Sequence, residues 1–202
     1  MPDTDPAATR SRVLDVSERL VQTRGYNGFS YGDVARELGL TRAALHYHFA
    51  GKAELGQALI ERYATRFAAA LARLDATAPD AAAKLRGYVG LYADVLAADR
   101  MCLCGMLAAE HRTLPEPLRR AVCDFFTANT VWLRRVLEEG CADGSLRCPG
   151  TAEATASVVL GTLEGAMLIT RLDGDLARFT ATADQLLDGL AAVPDRAAPA
   201  HA

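Results

Sequence analysis

Polar side chains that could contact phosphates and base edges cluster between residues 41 and 49. Arg42, His46, Tyr47 and His48 carry guanidinium, imidazole and phenol groups, which can donate hydrogen bonds to phosphate oxygens and to the edges of bases. Arg42 and His46 are four residues apart and would lie on the same face of a helix. Such a face fits the major groove of DNA, which admits one helix.

Cys102 and Cys104 could carry a different chemistry. They follow Arg100 and precede a predicted helix, so a nearby cation and a helix N-terminus would lower their pKa values and expose them to oxidants or electrophiles. Their close spacing strains a mutual disulfide, which favours alkylation or pairing with another cysteine. Buried, unreactive thiols are the alternative. A metal site that adds His111 would have three loosely spaced ligands, a poor arrangement, so we predict no metal.

A pair of short helices is predicted to position the first cluster. Ser30 can cap one helix, with Asp33 as its capping-box partner, and Thr41 can cap the next. Gly39 can hold a positive φ, which ends the first helix and lets the second leave at a steep angle. The apolar stripes of the two helices are Val34, Ala35 and Leu38 on the first and Leu45 and Phe49 on the second. An ordinary helical hairpin within an all-helical core is the alternative interpretation.

Two further helices flank this pair. Periodic apolar residues predict one helix from Thr9 to Thr23 and a long one from Lys52 to about Leu74. Gly25 and Gly28 interrupt the helical pattern between the first helix and the predicted pair. Three short helices, about 50 residues in all, bury little apolar area by themselves, so we expect them to pack against the long helix.

The segment from Arg10 to Leu55 resembles the DNA-binding domain of the TetR/AcrR family of bacterial transcriptional regulators. The resemblance rests on GYNGFS, DVA, GLTRAALHYHF and KAEL, in that order. It implies DNA contacts from Ser30, Tyr31, Thr41, Arg42, Ala43, His46, Tyr47 and Lys52. His46 stands where members usually have Tyr, which predicts a weaker or pH-sensitive phosphate contact.

Helical patterns continue beyond Leu74 as far as Leu190, so the expected fold is all-α. We expect a disordered tail at 1–8, an N-terminal three-helix helix-turn-helix domain at 9–51, a helical ligand-binding and dimerisation domain at 52–192, and a disordered tail at 193–202. The later helices are predicted near Ala82–Ala98, Pro117–Gly140, Thr151–Leu172 and Leu176–Leu190.

The last two helices have the pattern of a partner surface. Apolar residues fill nearly every turn from Val158 to Ile169, and Gly161 and Gly165 are four residues apart, where missing side chains permit close helix approach. An intramolecular core is the alternative. The family resemblance implies dimerisation through these helices, and a symmetric dimer would present two recognition helices about 34 to 36 Å apart to a palindromic operator.

The resemblance also implies a ligand pocket among the middle helices. Its candidate lining is Tyr88, Tyr92, Met106, Glu110, Phe125, Trp132, Met167 and Arg171. Core packing is the alternative role for most of these residues. If Arg171 faces the cavity, it would favour a carboxylate or another anion.

Charge, hydropathy and cysteine count restrict the classes of protein to which the chain can belong. The net charge is −3, but residues 1–52 hold seven Lys or Arg against six Asp or Glu, whereas residues 53–202 hold fifteen against nineteen. The first ten residues are polar and acidic, unlike a signal peptide, and no apolar run reaches the roughly 18 residues that span a bilayer. We therefore expect a cytoplasmic protein without a membrane partner. Five cysteines, an odd number, favour thiols over a disulfide framework.

The predicted function is a ligand-responsive repressor, a homodimer released from a palindromic operator on double-stranded DNA by a small-molecule effector, with no cofactor. A thiol-based repressor that senses oxidants or electrophiles through Cys102 and Cys104 is one alternative. An enzyme with one of these thiols as nucleophile and His111 as base is another, although the sequence has no nucleophile elbow, nucleotide loop or metal motif. A DNA-architectural protein without a ligand is the third.

Overall fold

The computed structural model describes residues 5–147 and 149–192, and these residues form helices without a strand. The all-α prediction is therefore confirmed. The helices are α1 Pro6–Arg24, α2 Tyr31–Leu38, α3 Arg42–His48, α4 Lys52–Thr77, α5 Ala81–Ala97, α6 Leu103–Ala109, α7 Glu116–Asp143, α8 Ala152–Asp173 and α9 Leu176–Leu190. A single turn of 3₁₀ helix, His111–Thr113, follows α6.

The first helix, α1, begins earlier in the chain than predicted. Asp5 caps α1 by accepting a hydrogen bond from the amide of Ala7, and Pro6 occupies the first helical turn, where a missing N–H costs nothing. The predicted tail at 1–8 is thus wrong for residues 5–8. Residues 1–4 and the predicted tail at 193–202 lie outside the described residues.

The paired helices α2 and α3 form as their capping residues predict. The Ser30 hydroxyl accepts from the amide of Asp33, and the Asp33 carboxylate accepts from the amide of Ser30 at 2.8 Å. Gly39 ends α2 with φ of 66°, and the Thr41 hydroxyl accepts from the amide of Ala44 at 3.1 Å. Both helices contact each other and α1, and Val34, Ala35, Leu45 and Phe49 are buried.

The later helices pack around an aromatic centre. Phe67 of α4 contacts the rings of Tyr88, Tyr92 and Phe125 at centroid distances of 6.0, 6.1 and 5.3 Å. Trp132 of α7 stacks on Tyr88 at 5.5 Å. Since α4 packs against both α1 and α7, it connects the first three helices to this core.

Helix α8 is apolar but largely exposed. By length and composition alone it could span a membrane, contrary to the expectation that no apolar run is long enough, although only 22% of its most apolar stretch is buried. One such helix is weak evidence for a membrane span, because helices of soluble proteins pass the same test. Exposed apolar side chains along α8 and at the start of α9 are Val158, Leu168, Ile169, Leu172 and Leu176.

Candidate functional site

The outer face of α3 is open to solvent. Arg42, Ala43 and His46 are exposed, and the ring of Tyr47 is 79% exposed and stands edge-on to His48. The hydroxyl of Thr41 is occupied by the helix cap. The exposed ring of Tyr47 and the exposed side chain of Arg42 are both available to an outside partner, and phosphates or base edges suit both groups.

Arg42 lies against the start of α2. Its Nη2 would be 3.0 Å from a Cβ placed on Gly32, so this glycine leaves room for the guanidinium. Ser30 and Tyr31 begin the same helix, and the Ser30 hydroxyl is used in the capping box. The structure therefore brings together the residues at the start of α2 and of α3, the two segments that the sequence predicted to face DNA.

Tyr31 and His46 contact each other, with ring centroids 5.0 Å apart. The Tyr31 hydroxyl donates to the carbonyl of Phe49 at 3.1 Å, and burial, followed by the nearby carboxylate of Glu54, raises its pKa to about 12. His46 Nδ1 is 3.2 Å from the carbonyl of Ala50 and can bond to it only as a donor, which leaves Nε2 for an outside partner. The Tyr31 hydroxyl stays neutral at physiological pH.

Lys52 has internal partners in this structure. Its ammonium donates to the carbonyl of Phe29 at 2.5 Å and lies 4.6 and 4.4 Å from the ring centroids of Tyr26 and Phe29. Partial burial lowers its pKa. Lys52 therefore holds the turn between α1 and α2, and its phosphate contact remains a prediction.

The aromatic members of the predicted ligand set are core residues here. Tyr88 and Tyr92 are almost fully buried, their hydroxyls are 3.1 Å apart, and Tyr88 donates to Asn129 Oδ1 at 3.0 Å. Trp132 donates from Nε1 to Asp75 at 3.0 Å. Phe125 and Met167 are likewise buried in the core. Core packing, the alternative interpretation, describes all five in this structure.

Glu110 and Arg171 connect the later helices to the end of α1 and to the turn that follows it, and their role as polar anchors of a ligand pocket remains a prediction. The Glu110 carboxylate accepts hydrogen bonds from the amides of Tyr26 at 2.6 Å and Asn27 at 3.3 Å. The Arg171 guanidinium donates to the carbonyls of Gln22, at 3.0 Å, and Thr23. Both side chains thus satisfy backbone groups that the end of α1 leaves unpaired.

Two clefts lie beside these contacts. Arg171 borders one of about 240 Å³ between the ends of α5 and α8, together with Asp99, whose φ of 55° is unusual for a residue other than glycine. Met106 borders another of about 270 Å³ between α6 and α8. Sequence reasoning missed Glu164, which lies in this second cleft. A carboxylate within the apolar run of α8 was the available signal.

The thiols of Cys102 and Cys104 are buried, and their pKa values are raised. Burial is the main cause for both, followed by the neighbouring carboxyl of Glu164. The prediction of lowered pKa values is therefore wrong, because desolvation outweighs the short helix that follows. His111 is exposed, and the described residues contain no group of three side chains that could hold a metal ion. Burial of both thiols argues against Cys102 or Cys104 as the nucleophile of the enzyme alternative.

The remaining described cysteines differ in state. Cys123 is a free, exposed thiol on α7, whereas Cys141 is disulfide-bonded. Cys141 is thus an exception to the expectation that the cysteines are thiols and not a disulfide framework.

Comparisons with known proteins agree with the fold and with the α2–α3 arrangement. The family model described as bacterial regulatory proteins, tetR family, matches residues 13–59, and the model of a tetracyclin repressor-like C-terminal domain matches residues 81–186. The transcriptional regulator AcuR of Cereibacter sphaeroides is 30% identical over 159 residues, which are 74% of this chain and 70% of AcuR.

Solved structures resemble the whole chain. A TetR-family transcriptional regulator from Agrobacterium tumefaciens has a TM-score of 0.90 and 34% identity, over 93% of this chain and 100% of that one. A TetR transcriptional regulator from Legionella pneumophila has a TM-score of 0.83 and 27% identity, over 94% of this chain and 100% of that one.

Proposed function

The chain belongs to the TetR family of bacterial regulatory proteins, DNA-binding transcriptional regulators, and on that premise we propose that it is a homodimeric repressor released from a palindromic operator by a small-molecule effector. The division at residues 51 and 52 into a DNA-binding and a ligand-binding, dimerising part belongs to the same proposal. The protein acts in the cytoplasm, where it needs no membrane partner.

The open face of α3 is the observation that carries the DNA contact. Arg42, His46 and Tyr47 are exposed on one short helix whose other side is buried against α1 and α2. Inserted in the major groove, this face would place Arg42 within reach of a guanine edge or a phosphate. Salt would weaken such binding strongly, since each phosphate contact releases counterions.

The exposed stripe of α8 supports dimerisation. Leu172 is 81% exposed and Leu168 58%, and a Cβ added at Gly161 or Gly165 would meet nothing within 4 Å. Contiguous exposed apolar surface of this kind marks an interaction site. A second copy packed on α8 and α9 would bury the stripe and set two α3 helices at a fixed distance.

The contacts between the end of α1 and the later helices support release of the operator by a ligand. Helix α4, with 26 residues, spans about 39 Å and runs from the DNA-binding helices into the aromatic core. Glu110 and Arg171 add a second connection through hydrogen bonds to the end of α1. An effector that prefers a shifted arrangement by about 1–3 kcal/mol would lower operator affinity about 5- to 150-fold.

Selection of duplexes from a random pool by the full-length protein tests this function. We expect an enriched palindrome whose half-site centres are about one helical turn apart, or a multiple of it, and two protomers on each duplex in sedimentation. A reporter gene preceded by that palindrome should be expressed less when the protein is present. A monomeric protein without sequence preference would contradict the proposal.

A further inference from the structure

The cleft between α6 and α8 contains a buried carboxyl group that the proposed mechanism does not yet use. Its volume is about 270 Å³, and the large apolar side chains that line it are Met101, Met106, Phe126 and Leu168. Among the described residues that line it, Glu164 is the one with an ionisable side chain. The cleft therefore has one carboxyl group in a wall that is otherwise formed by aromatic, thioether and aliphatic side chains and by glycine.

Glu164 lacks a partner for one of its two oxygens. Oε1 is buried and has no hydrogen-bond partner among the described residues. Burial raises the pKa of this carboxyl, and a hydrogen bond with the neighbouring Cys102 thiol opposes that effect without outweighing it. A Cβ on Gly105 would collide with Oε2, so the glycine makes room for the carboxyl group against α6. Buried polar groups are normally paired, so an unpaired oxygen on a side chain that lines a cleft favours a hydrogen-bond donor from a ligand.

We infer that this cleft binds a protonated amine with a small apolar body. The ammonium group would donate a hydrogen bond to Glu164 Oε1, and the apolar body would contact Met106, Phe126 and Leu168. A neutral alcohol could donate one hydrogen bond without the attraction between opposite charges, and an anion would be repelled. The inference rests on the proposed function, because it assigns a chemical class to the effector.

Both walls of the cleft lead to the contacts that hold the end of α1. Helix α6 ends at Glu110, which accepts from the amides of Tyr26 and Asn27, and α8 carries Arg171, which donates to Gln22. An amine wedged between α6 and α8 would therefore move one or both of these contacts. Leu168 also belongs to the exposed α8 stripe, so the partner copy in the proposed dimer would cover the open side of the cleft.

Calorimetry with a matched ligand series tests the site. The probes are 2-phenylethylamine, its neutral analogue 2-phenylethanol, and the anion 3-phenylpropionate, each titrated into the full-length protein. We expect the amine to bind at least tenfold more tightly than the alcohol, and the anion least tightly. Equal affinity for amine and alcohol would overturn the inference, with no variant needed.

Two variants locate the binding. Glu164→Gln should lower the affinity for the amine at least tenfold and change the affinity for the alcohol little. Glu153→Gln, the same change at an exposed position on the same helix, should leave both affinities as in the wild type. An amine affinity that survives Glu164→Gln would overturn the assignment.

Operator binding, measured separately with the selected palindrome, distinguishes failure of the site from failure of the proposed function. Loss of operator affinity on adding 2-phenylethylamine to the wild type, but not to Glu164→Gln, would support both. If the amine binds through Glu164 but operator affinity does not change, the amine site is supported and release of the operator by this ligand is contradicted. If a compound releases the operator and binds equally well to Glu164→Gln, the amine site is overturned and the proposed repressor function is still supported.

Discussion

The guanidinium of Arg171, in the last turn of α8, donates a hydrogen bond of 3.0 Å to the carbonyl of Gln22, near the end of α1. The Met101 amide donates to the same carbonyl at 3.2 Å. A carbonyl at a helix end carries part of the negative pole of the helix dipole, so a cation is well placed there. The end of α1 is thus held by the later helices, and only six residues separate α1 from α2.

Arg171→Ala should loosen the connection between α1 and α8. Because the guanidinium is partly exposed, we expect a loss of about 1 kcal/mol in the free energy of unfolding, measured with urea. Operator affinity should change as well, since the orientation of α1 and α2 depends on this contact. Arg120→Ala, which removes an exposed ion pair with Glu116 on α7, is the matched control and should alter neither quantity. Equal effects from both variants would contradict the connecting role.

Arg42→Ala should relax operator preference. A side chain that reads a base edge contributes about 1–3 kcal/mol of discrimination, so the ratio of affinities for selected and random duplexes should fall roughly 5- to 150-fold. Fluorescence anisotropy on both duplexes measures that ratio. Arg73→Ala, an exposed arginine far along α4, should leave it unchanged. An equal loss on selected and random DNA would instead assign Arg42 to a phosphate.

Leu172→Asp should weaken the proposed dimer. The side chain is 81% exposed in the protomer and lies on the α8 stripe, so a buried carboxylate at this position would oppose association. Sedimentation velocity should report a dimer dissociation constant raised at least tenfold, together with loss of operator affinity. Val131→Asp places the same charge at a half-exposed position on α7 and serves as control. Persistence of the dimer in both variants would locate the interface elsewhere.

The raised pKa of Glu164 predicts a pH-dependent stability difference. A carboxyl with a raised folded-state pKa contributes stability fully below its unfolded pKa, and that contribution is lost as the pH rises through the folded-state pKa. The groups around it, Cys102, Cys104, Tyr63, Tyr88 and Tyr92, also have raised pKa values and stay neutral in this range.

The unfolding free energy of Glu164→Gln, minus that of the wild type, should therefore increase as the pH rises from about 4.5, by about 1.4 kcal/mol for each unit of pKa shift. The difference is the useful quantity, because the lowered pKa values of Asp33, Asp75, Glu116 and Glu139 stabilise both proteins as the pH rises. Urea denaturation between pH 4 and pH 8 gives both curves. A constant difference across this range would contradict the raised pKa.

The exposed thiol of Cys123 should react with a disulfide reagent in the native protein, whereas Cys102 and Cys104 should react only on unfolding. Burial and raised pKa values keep these two as thiols, which are poor nucleophiles. Peptide mass spectrometry of labelled protein identifies the modified positions, and Cys123→Ser removes the fast reaction. Rapid native labelling of Cys102 or Cys104 would restore thiol sensing as a function.

Local chemistry in the sequence determined the helices and their ends. Ser30 and Asp33 cap each other across three residues, Thr41 caps its own helix, and Gly39 alone supplies the positive φ between them. These interactions involve neighbours along the chain, so residue types and spacing suffice to predict them. The family resemblance in the same segment depends on the same short-range pattern.

Tertiary structure alone decided the roles of the isolated polar residues. Arg171 bonds to Gln22, 149 residues away in sequence, and Glu110 bonds to Tyr26, 84 residues away. The Lys52 ammonium donates to the carbonyl of Phe29. Nothing in the spacing of these residues indicates their partners. The pKa of Cys102 likewise depends on burial and on Glu164 of another helix. Hydrogen bonding and desolvation depend on distances in space, which are settled only when helices far apart in sequence pack together.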